Sequence, residues 1–314
     1  MNQFELVADI GATNARFALL ADGQIELMHL QVLSAADYES LTHALQAYLV
    51  KVGKPSLKAA SIAIAGPVHK PVFTLANNHW QVHKAEVEQQ LACQTLWLND
   101  FAAQAWGVTA LSVDQQVIVK PGKAKLEGNR LVIGPGSGLG VAGLVFRNNA
   151  WVPVIGEGGH VSFAPGNARE IAVLGHLLAD YEHVSVERVA SGSGIPLLYG
   201  ALATLDDKPV LYTDAAAISG AAESDPLAKE TIDLFFAILG QAVASAALQM
   251  GAIGGVYLVG GILPKLLSSM EQSEFISRFC QRGRLRHYMQ EMPVILSIDK
   301  DLGLKGAALA LAHH

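Results

Sequence analysis

The sequence predicts an α/β fold built from two similar units, and three observations carry that reading. The chain has 314 residues, enough for about two domains. Hydrophobic residues make up 51% and charged residues 16%, the composition of a core-rich globular protein. An order of strand, special turn, strand, tight turn, strand occurs twice, about 120 residues apart, a spacing that fits one domain each. Residue identity between the copies is slight; what repeats is the order of elements.

In the first copy, residues 4–10 form an apolar strand that runs through Asp9, and Gly11-Ala12-Thr13-Asn14 turns the chain. Residues 15–20 are a second strand, Asp22-Gly23 a hairpin signal, and residues 25–32 a third strand. Tyr38, Leu41, Leu45, Tyr48, Leu49 and Val52 fall at helical spacing. Asp37 is the expected N-cap of that helix, and Gly53 and Pro55 its stop. Residues 58–65 read as a buried strand closed by Gly66-Pro67, residues 84–91 as a helix, and residues 95–98 as a strand.

The strand at 95–98 leads into Asn99-Asp100, and residues 101–106 begin a helix. Asp100 is therefore expected at the mouth of a strand, where open α/β sheets place ligands. A carboxylate there can accept a proton from a substrate hydroxyl. The alternative is that Asn99 or Asp100 simply caps the helix.

The second copy runs through a strand at 130–133, the glycine loop Gly134-Pro135-Gly136-Ser137-Gly138, a strand at 139–146, the turn Asn148-Asn149 and a strand at 151–155. Helices are expected at 169–180, near 195–203 and over 226–249, the last apolar almost all round and hence buried. Residues 256–259 form a strand broken by Gly260-Gly261, and Pro264 suits the first turn of a helix. Residues 293–298 are the last strand, and 303–312 a small-residue helix able to pack closely on the first domain.

Several function classes are disfavoured. A net charge of −6 is not a nucleic-acid footprint. Cys93 and Cys280 sit far apart without metal-ligand spacing, which suits a reducing compartment. Eleven histidines form no zinc pattern. Residues 1–8 lack a basic start and read as a strand, so no secretory signal is expected. Residues 234–263 carry no charge and are long enough to span a bilayer. Gln241, Ser245, Gln249 and the glycines at 251, 254, 255, 260 and 261 interrupt them, so a buried helix and strand are expected and no membrane partner.

Two loops suit phosphate. Gly11 to Asn14 exposes backbone N–H groups able to form an anion-binding concavity, with the Thr13 hydroxyl beside them. Asp9 can hold Mg²⁺, commonly through water, because hard cations take oxygen ligands; an ordinary β-turn is the plainer alternative. The second loop has glycines at 134, 136, 138 and 140, which allow close backbone approach. No Lys-Ser or Lys-Thr follows, so it is not a Walker loop, and glycine is also the default turn residue. Matching positions in two similar units suggest a phosphate chain clamped in a cleft between domains.

A polar cluster follows. Gly156-Glu157-Gly158-Gly159-His160 sets an acid and an imidazole between glycines at a strand end, and Glu187 and Arg188 come later. Carboxylates accept from hydroxyls and neutral His does both, a set suited to a polyhydroxylated ligand. Taken singly, Glu187 is a solvated helix residue, and His160 has a structural alternative. Gly260-Gly261 lets a base or ribose lie against backbone, or marks close strand–helix packing.

The chain resembles the bacterial ATP-dependent glucokinases of the hexokinase type. The resemblance covers nearly the whole length. It rests on Asp9-Ile10-Gly11-Ala12-Thr13-Asn14-Ala15-Arg16, Leu98-Asn99-Asp100-Phe101, Gly136-Ser137-Gly138-Leu139-Gly140, Gly156-Glu157-Gly158-Gly159-His160, Glu187-Arg188 and Gly260-Gly261-Ile262. It implies a duplicated actin-like (ribonuclease H-like) ATPase fold with two domains around a cleft, residues 1–110 plus 296–314 and residues 111–295. It implies transfer of phosphate from ATP, with Mg²⁺, to the 6-hydroxyl of glucose, in a cytoplasmic homodimer. Asp100 would be the general base. Asn99, Asp100, Glu157, His160 and Glu187 would bind glucose. Ala8, Asp9, Ile10, Gly11, Ala12, Thr13, Gly136, Ser137, Gly138, Gly260 and Gly261 would bind ATP, and Asp9 would hold the metal. Ala12 departs from the resemblance, standing where a second glycine is usual; if φ there is positive, alanine is strained. The cysteine-rich zinc motif of the repressor-related sugar kinases is missing. A non-catalytic sugar-sensing regulator and a hexose kinase with another preferred sugar are the rival functions.

Overall fold

The computed structural model describes residues 3–21, 23–75 and 78–314. The chain divides into two compact units, Met1–Ser112 with Asp299–His314, and Val113–Ile298. The first unit opens with β1 (Phe4–Ile10), β2 (Asn14–Ala21) and β3 (Met28–Ser34), continues through α1 (Leu41–Lys51) and β4 (Leu57–Ile64), and adds the small hairpin β5 (Val72–Thr74) and β6 (Gln81–His83). Then come α2 (Lys84–Leu91), β7 (Gln94–Asn99) and α3 (Asp100–Val108). The main sheet has the order β3-β2-β1-β4-β7. β1 pairs antiparallel with β2 and parallel with β4, which pairs parallel with β7.

Strand β1 is covered on both faces, as its nearly continuous apolar run requires. Leu6, Ala8 and Ile10 pack with Phe17 and Leu19 of β2 and with Leu41, Leu45 and Tyr48 of α1. Val7, pointing the other way, packs with Ala18, Leu20 and Ala63. The period of two thus sorts one strand between two cores.

Local expectations shift in two places. The third strand starts at Met28, not residue 25, so residues 25–27 precede the ladder. Helix α1 is capped by Ser40, whose hydroxyl accepts the His43 N–H at 3.3 Å. Asp37 instead ends a 3-10 turn, Ala35–Asp37, and the extended Tyr38 after it prevents a helix from starting there. Of the expected Asp22-Gly23 hairpin, Asp22 lies outside the described residues; Gly23 has φ +73° and Gln24 N–H donates to the Ala21 carbonyl.

The second unit begins with β8 (Gln116–Lys120), β9 (Arg130–Pro135), β10 (Leu139–Arg147) and β11 (Ala150–Gly156). Asn148 and Asn149, at φ 51° and 59°, join β10 to β11 in the conformation a two-residue hairpin favours. Helices α4 (Ala168–Leu177), α5 (Val186–Val189), α6 (Gly194–Leu205), α7 (Ala215–Ala221) and α8 (Pro226–Met250) follow. Then come β12 (Gly255–Leu258), α9 (Leu267–Gln272), α10 (Phe275–Cys280), α11 (Arg286–Glu291) and β13 (Val294–Ser297). The sheet order is β11-β10-β9-β12-β13-β8. As in the first unit, three sequential antiparallel strands are extended by two that run parallel to the first of them. β8 adds an antiparallel edge.

Helix α8 is long and apolar enough to cross a bilayer by length and composition, but 67% of its most apolar window is buried inside the protein. Asp225 caps its start, Pro226 occupies the first turn and Gly251 ends it at φ 58°, the asymmetry expected of helix ends. It is the core helix of this unit, carrying Phe235, Phe236, Leu239 and Val243 inward.

The last helix, α12 (Leu302–Ala312), belongs to the first unit. Its Leu304, Ala307 and Ala308 complete the Val7 core together with Ala103 of α3. A Cβ on Gly306 would overlap the Ala103 carbonyl oxygen, and one on Gly107 the Leu302 carbonyl. Glycine at the crossing lets the two backbones touch.

Candidate functional site

In the first unit, the candidate residues gather at the carboxyl ends of parallel strands. Asp9 and Asn99 stand near the ends of β1 and β7, on either side of β4, where Ile64 aligns with Ile10 and Asn99. The hairpin register puts Arg16 opposite Asp9, with Nη1 3.7 Å from Oδ2. The Asp9 side chain is only 14% exposed. Burial raises its pKa to about 6; Arg16 opposes the shift, and the carboxylates of Asp100 and Asp301 add to it. Gly303, in the first turn of α12, lies against the same carboxylate, where a Cβ would come 2.7 Å from Oδ2.

Three carboxylates therefore act on one spot at the end of a sheet. Asp9 offers carboxylate oxygens, the ligand type a hard divalent cation such as Mg²⁺ takes, with Arg16 3.7 Å away. Among the described residues, no three His, Cys, Asp or Glu side chains form a metal-holding group.

The turn after β1 is closed by the Gly11 N–H donating to the Asn14 carbonyl at 3.0 Å. Asn78 donates from Nδ2 to the Ala12 carbonyl at 2.9 Å and accepts the Trp80 N–H. Ala12 is not among the residues with positive φ, so alanine carries no left-handed strain there. Asn99 caps α3: its Oδ1 accepts from the N–H groups of Phe101 and Ala102 at 3.0 and 3.3 Å. Capping and ligand binding are compatible, because the Nδ2 group still points two donors elsewhere. Asp100 is the first residue of α3 and half-buried.

In the second unit, three glycine-containing segments meet. The Gly136 N–H donates to the Gly138 carbonyl, and the Gly192 N–H donates to the Gly136 carbonyl, both at 2.8 Å. Ser193 Oγ donates to the Ser137 carbonyl at 2.8 Å. Gly260, at φ +95°, lies beside the Pro135 carbonyl. Gly136 and Gly261 have open space where a side chain would stand, room for a ligand to approach backbone.

The polar residues of this unit form a chain. Gly159 sits so tightly on the Leu139 carbonyl that any side chain would overlap it, which presses the 158–160 turn onto β10. His160 Nδ1 lies 3.9 Å from Glu157 Oε2, and Nε2 lies 3.6 Å from Glu187 Oε1. Glu187 Oε2 accepts the Leu139 N–H at 2.7 Å. Glu187 is thus not the solvated helix residue it resembles in isolation; its side chain is 29% exposed, against 87% for Glu157 and 62% for His160.

Sequence reasoning overlooked Arg16, Asp301, Gly303 and the Ser191-Gly192-Ser193 segment. Arg16 was accessible, because a four-residue turn from 11 to 14 places residue 16 across from residue 9. The Ser-Gly-Ser-Gly run before α6 was a second available signal. Asp301 carried none, being nearly 300 residues from Asp9.

The glucokinase family profile matches residues 6–314. The chain is 42% identical over 312 residues to a glucokinase of Hahella chejuensis, covering 98% of this chain and 97% of that one. A crystal structure of glucokinase from an Antarctic psychrotroph matches with a TM-score of 0.87 and 35% identity, covering 100% of both chains. Glucokinase from Balamuthia mandrillaris, solved in complex with glucose, shares the fold at a TM-score of 0.78 and 20% identity, over 100% of this chain and 94% of that one. The duplicated sheets are those of the actin-like fold.

Proposed function

The chain belongs to the glucokinase family, and from that premise we propose that it transfers the γ-phosphoryl group of ATP to the 6-hydroxyl of D-glucose, giving glucose 6-phosphate and ADP. This is the opening step of glycolysis, performed by a cytoplasmic homodimer. The observation that carries the sugar assignment is the chain Glu157–His160–Glu187, tied through Glu187 to the Leu139 N–H beside the glycine loop. Alternating acceptors and donors suit the hydroxyls of a hexose.

Asp100 accepts the proton of the 6-hydroxyl as that oxygen attacks phosphorus in line. Asn99, Glu157, His160 and Glu187 orient the ring so that this hydroxyl, rather than water, is presented. The turn Ala8 to Thr13 and the loop Gly136 to Gly138 offer backbone N–H groups to the phosphates. Gly261 leaves room for the adenosine, and Gly260 turns the backbone beside it at φ +95°. Asp9 would hold Mg²⁺ through water, and the ion would supply positive charge to the phosphates.

Initial rates across glucose, fructose, mannose and N-acetylated hexoses, with ATP and other phosphoryl donors, test the reading. Glucose with ATP is expected to give the highest kcat/KM. Asp100→Asn is expected to lower kcat about 10²-fold or more, as for loss of a general base. Sugar binding without ADP formation would instead indicate a regulator.

A further inference from the structure

Gly138 reads from sequence as a phosphate-loop glycine, yet its nearest side chain in the fold is a sugar-side carboxylate. A Cβ built on Gly138 overlaps Glu187 Oε2 and reaches 3.0 Å from its carboxyl carbon. That same Oε2 accepts the Leu139 N–H at 2.7 Å, while Oε1 lies 3.6 Å from His160 Nε2. Gly136, two residues earlier, has open space in the equivalent position. Neither glycine has a left-handed φ, so backbone conformation explains neither.

Both sides of the Gly138–Glu187 contact are held from behind. Glu187 lies on α5, where Ser185 Oγ accepts the Arg188 N–H, Val186 and Val189 are buried, and the Arg188 guanidinium stacks 3.8 Å from the Tyr181 ring centre. The loop is held by the Gly192 N–H on the Gly136 carbonyl and by Ser193 Oγ on the Ser137 carbonyl. With both backbones pinned, a methyl group at 138 is accommodated by turning the carboxylate, because side-chain torsions are the soft coordinates. That turn breaks the bond to Leu139 and moves Oε1 away from His160.

We propose that Gly138 is a positioning residue for the sugar. Its missing side chain and the Leu139 N–H together hold the Glu187 carboxylate in the orientation that meets glucose. The proposal rests on the glucokinase reading above.

The test is steady-state kinetics, and calorimetric glucose binding without nucleotide, for the parent, Gly136→Ala, Gly138→Ala, Glu187→Asp and the Gly138→Ala/Glu187→Asp pair. Gly138→Ala is expected to raise glucose KM and Kd about tenfold, as for a lost charge-assisted hydrogen bond, with ATP KM within about twofold. Gly136→Ala should leave glucose Kd unchanged. Aspartate is one methylene shorter and clears the added methyl, so the pair should bind glucose no worse than Glu187→Asp alone. A Gly138→Ala protein that loses ATP affinity but keeps glucose affinity overturns the proposal, as do independent, multiplying effects in the pair. Should Gly138→Ala not fold, hydrogen exchange at Leu139 in Glu187→Asp decides: faster exchange supports the contact and unchanged exchange overturns it. A parent that neither binds nor phosphorylates glucose sinks the underlying reading; a parent that does, with Gly138→Ala acting on ATP alone, sinks only the proposal.

Discussion

Asp9 would have to be charged to hold the cation proposed for it, yet its surroundings resist the charge. Its folded pKa of about 6 lies above the ordinary 3.8, so the folded state favours the protonated form. The stabilisation from that proton is fully present below about pH 3.8 and is lost as pH rises through 6. In nucleotide-free, metal-free protein at pH 8, Asp9→Asn is therefore expected to be more stable than the parent, by up to about 3 kcal/mol. The gap should close below pH 4, and urea unfolding at pH 4, 6 and 8 measures it. Ala12 makes the converse case. With no positive φ to relieve, Ala12→Gly should not stabilise the fold; it is expected to cost up to about 1 kcal/mol through the freer unfolded chain, read by the same titration.

Helices α3 and α12 show how small residues set a distance between elements. Gly306 has the Ala103 carbonyl where its side chain would be, whereas Gly200, inside α6, has nothing within 4 Å. Gly306→Ala is expected to cost about 1–3 kcal/mol as overpacking, and Gly200→Ala to add roughly 0.5–1 kcal/mol as a better helix former. Opposite shifts in melting temperature are the check. At this scale the long elements were legible. The helix expected at residues 84–91 has those bounds, and α8 starts and stops at its Pro and Gly. The short helices α7, α9, α10 and α11 escaped notice because six or seven residues hold too few turns for a period to show. Both Asp37 and Ser40 are good caps on paper; the choice fell to Ser40 because the chain is still extended at Tyr38.

For the molecule as a whole, the chain's end is structurally part of its beginning. Residues 299–314 fall in the first unit, where Leu304, Ala307 and Ala308 cover Val7, Ala18 and Leu20. Removing residues 299–314 exposes that face at roughly 2 kcal/mol per large side chain. The truncated protein is expected to lose cooperative unfolding of the first unit, seen by hydrogen exchange over β1 and β2, while β9, β10 and α8 stay protected. Such closure was only partly readable in one dimension. The Asn148-Asn149 hairpin, the apolar run of β1 and the two glycine turns were legible in the sequence, because each depends on residues within a few positions of one another. Tertiary structure alone decided that Asp301 acts on Asp9, that Asn99 both caps a helix and stands at the sheet's end, and that Glu187 binds Leu139. These depend on which distant segments pack side by side, and burial and hydrogen-bond partners exist only once they do.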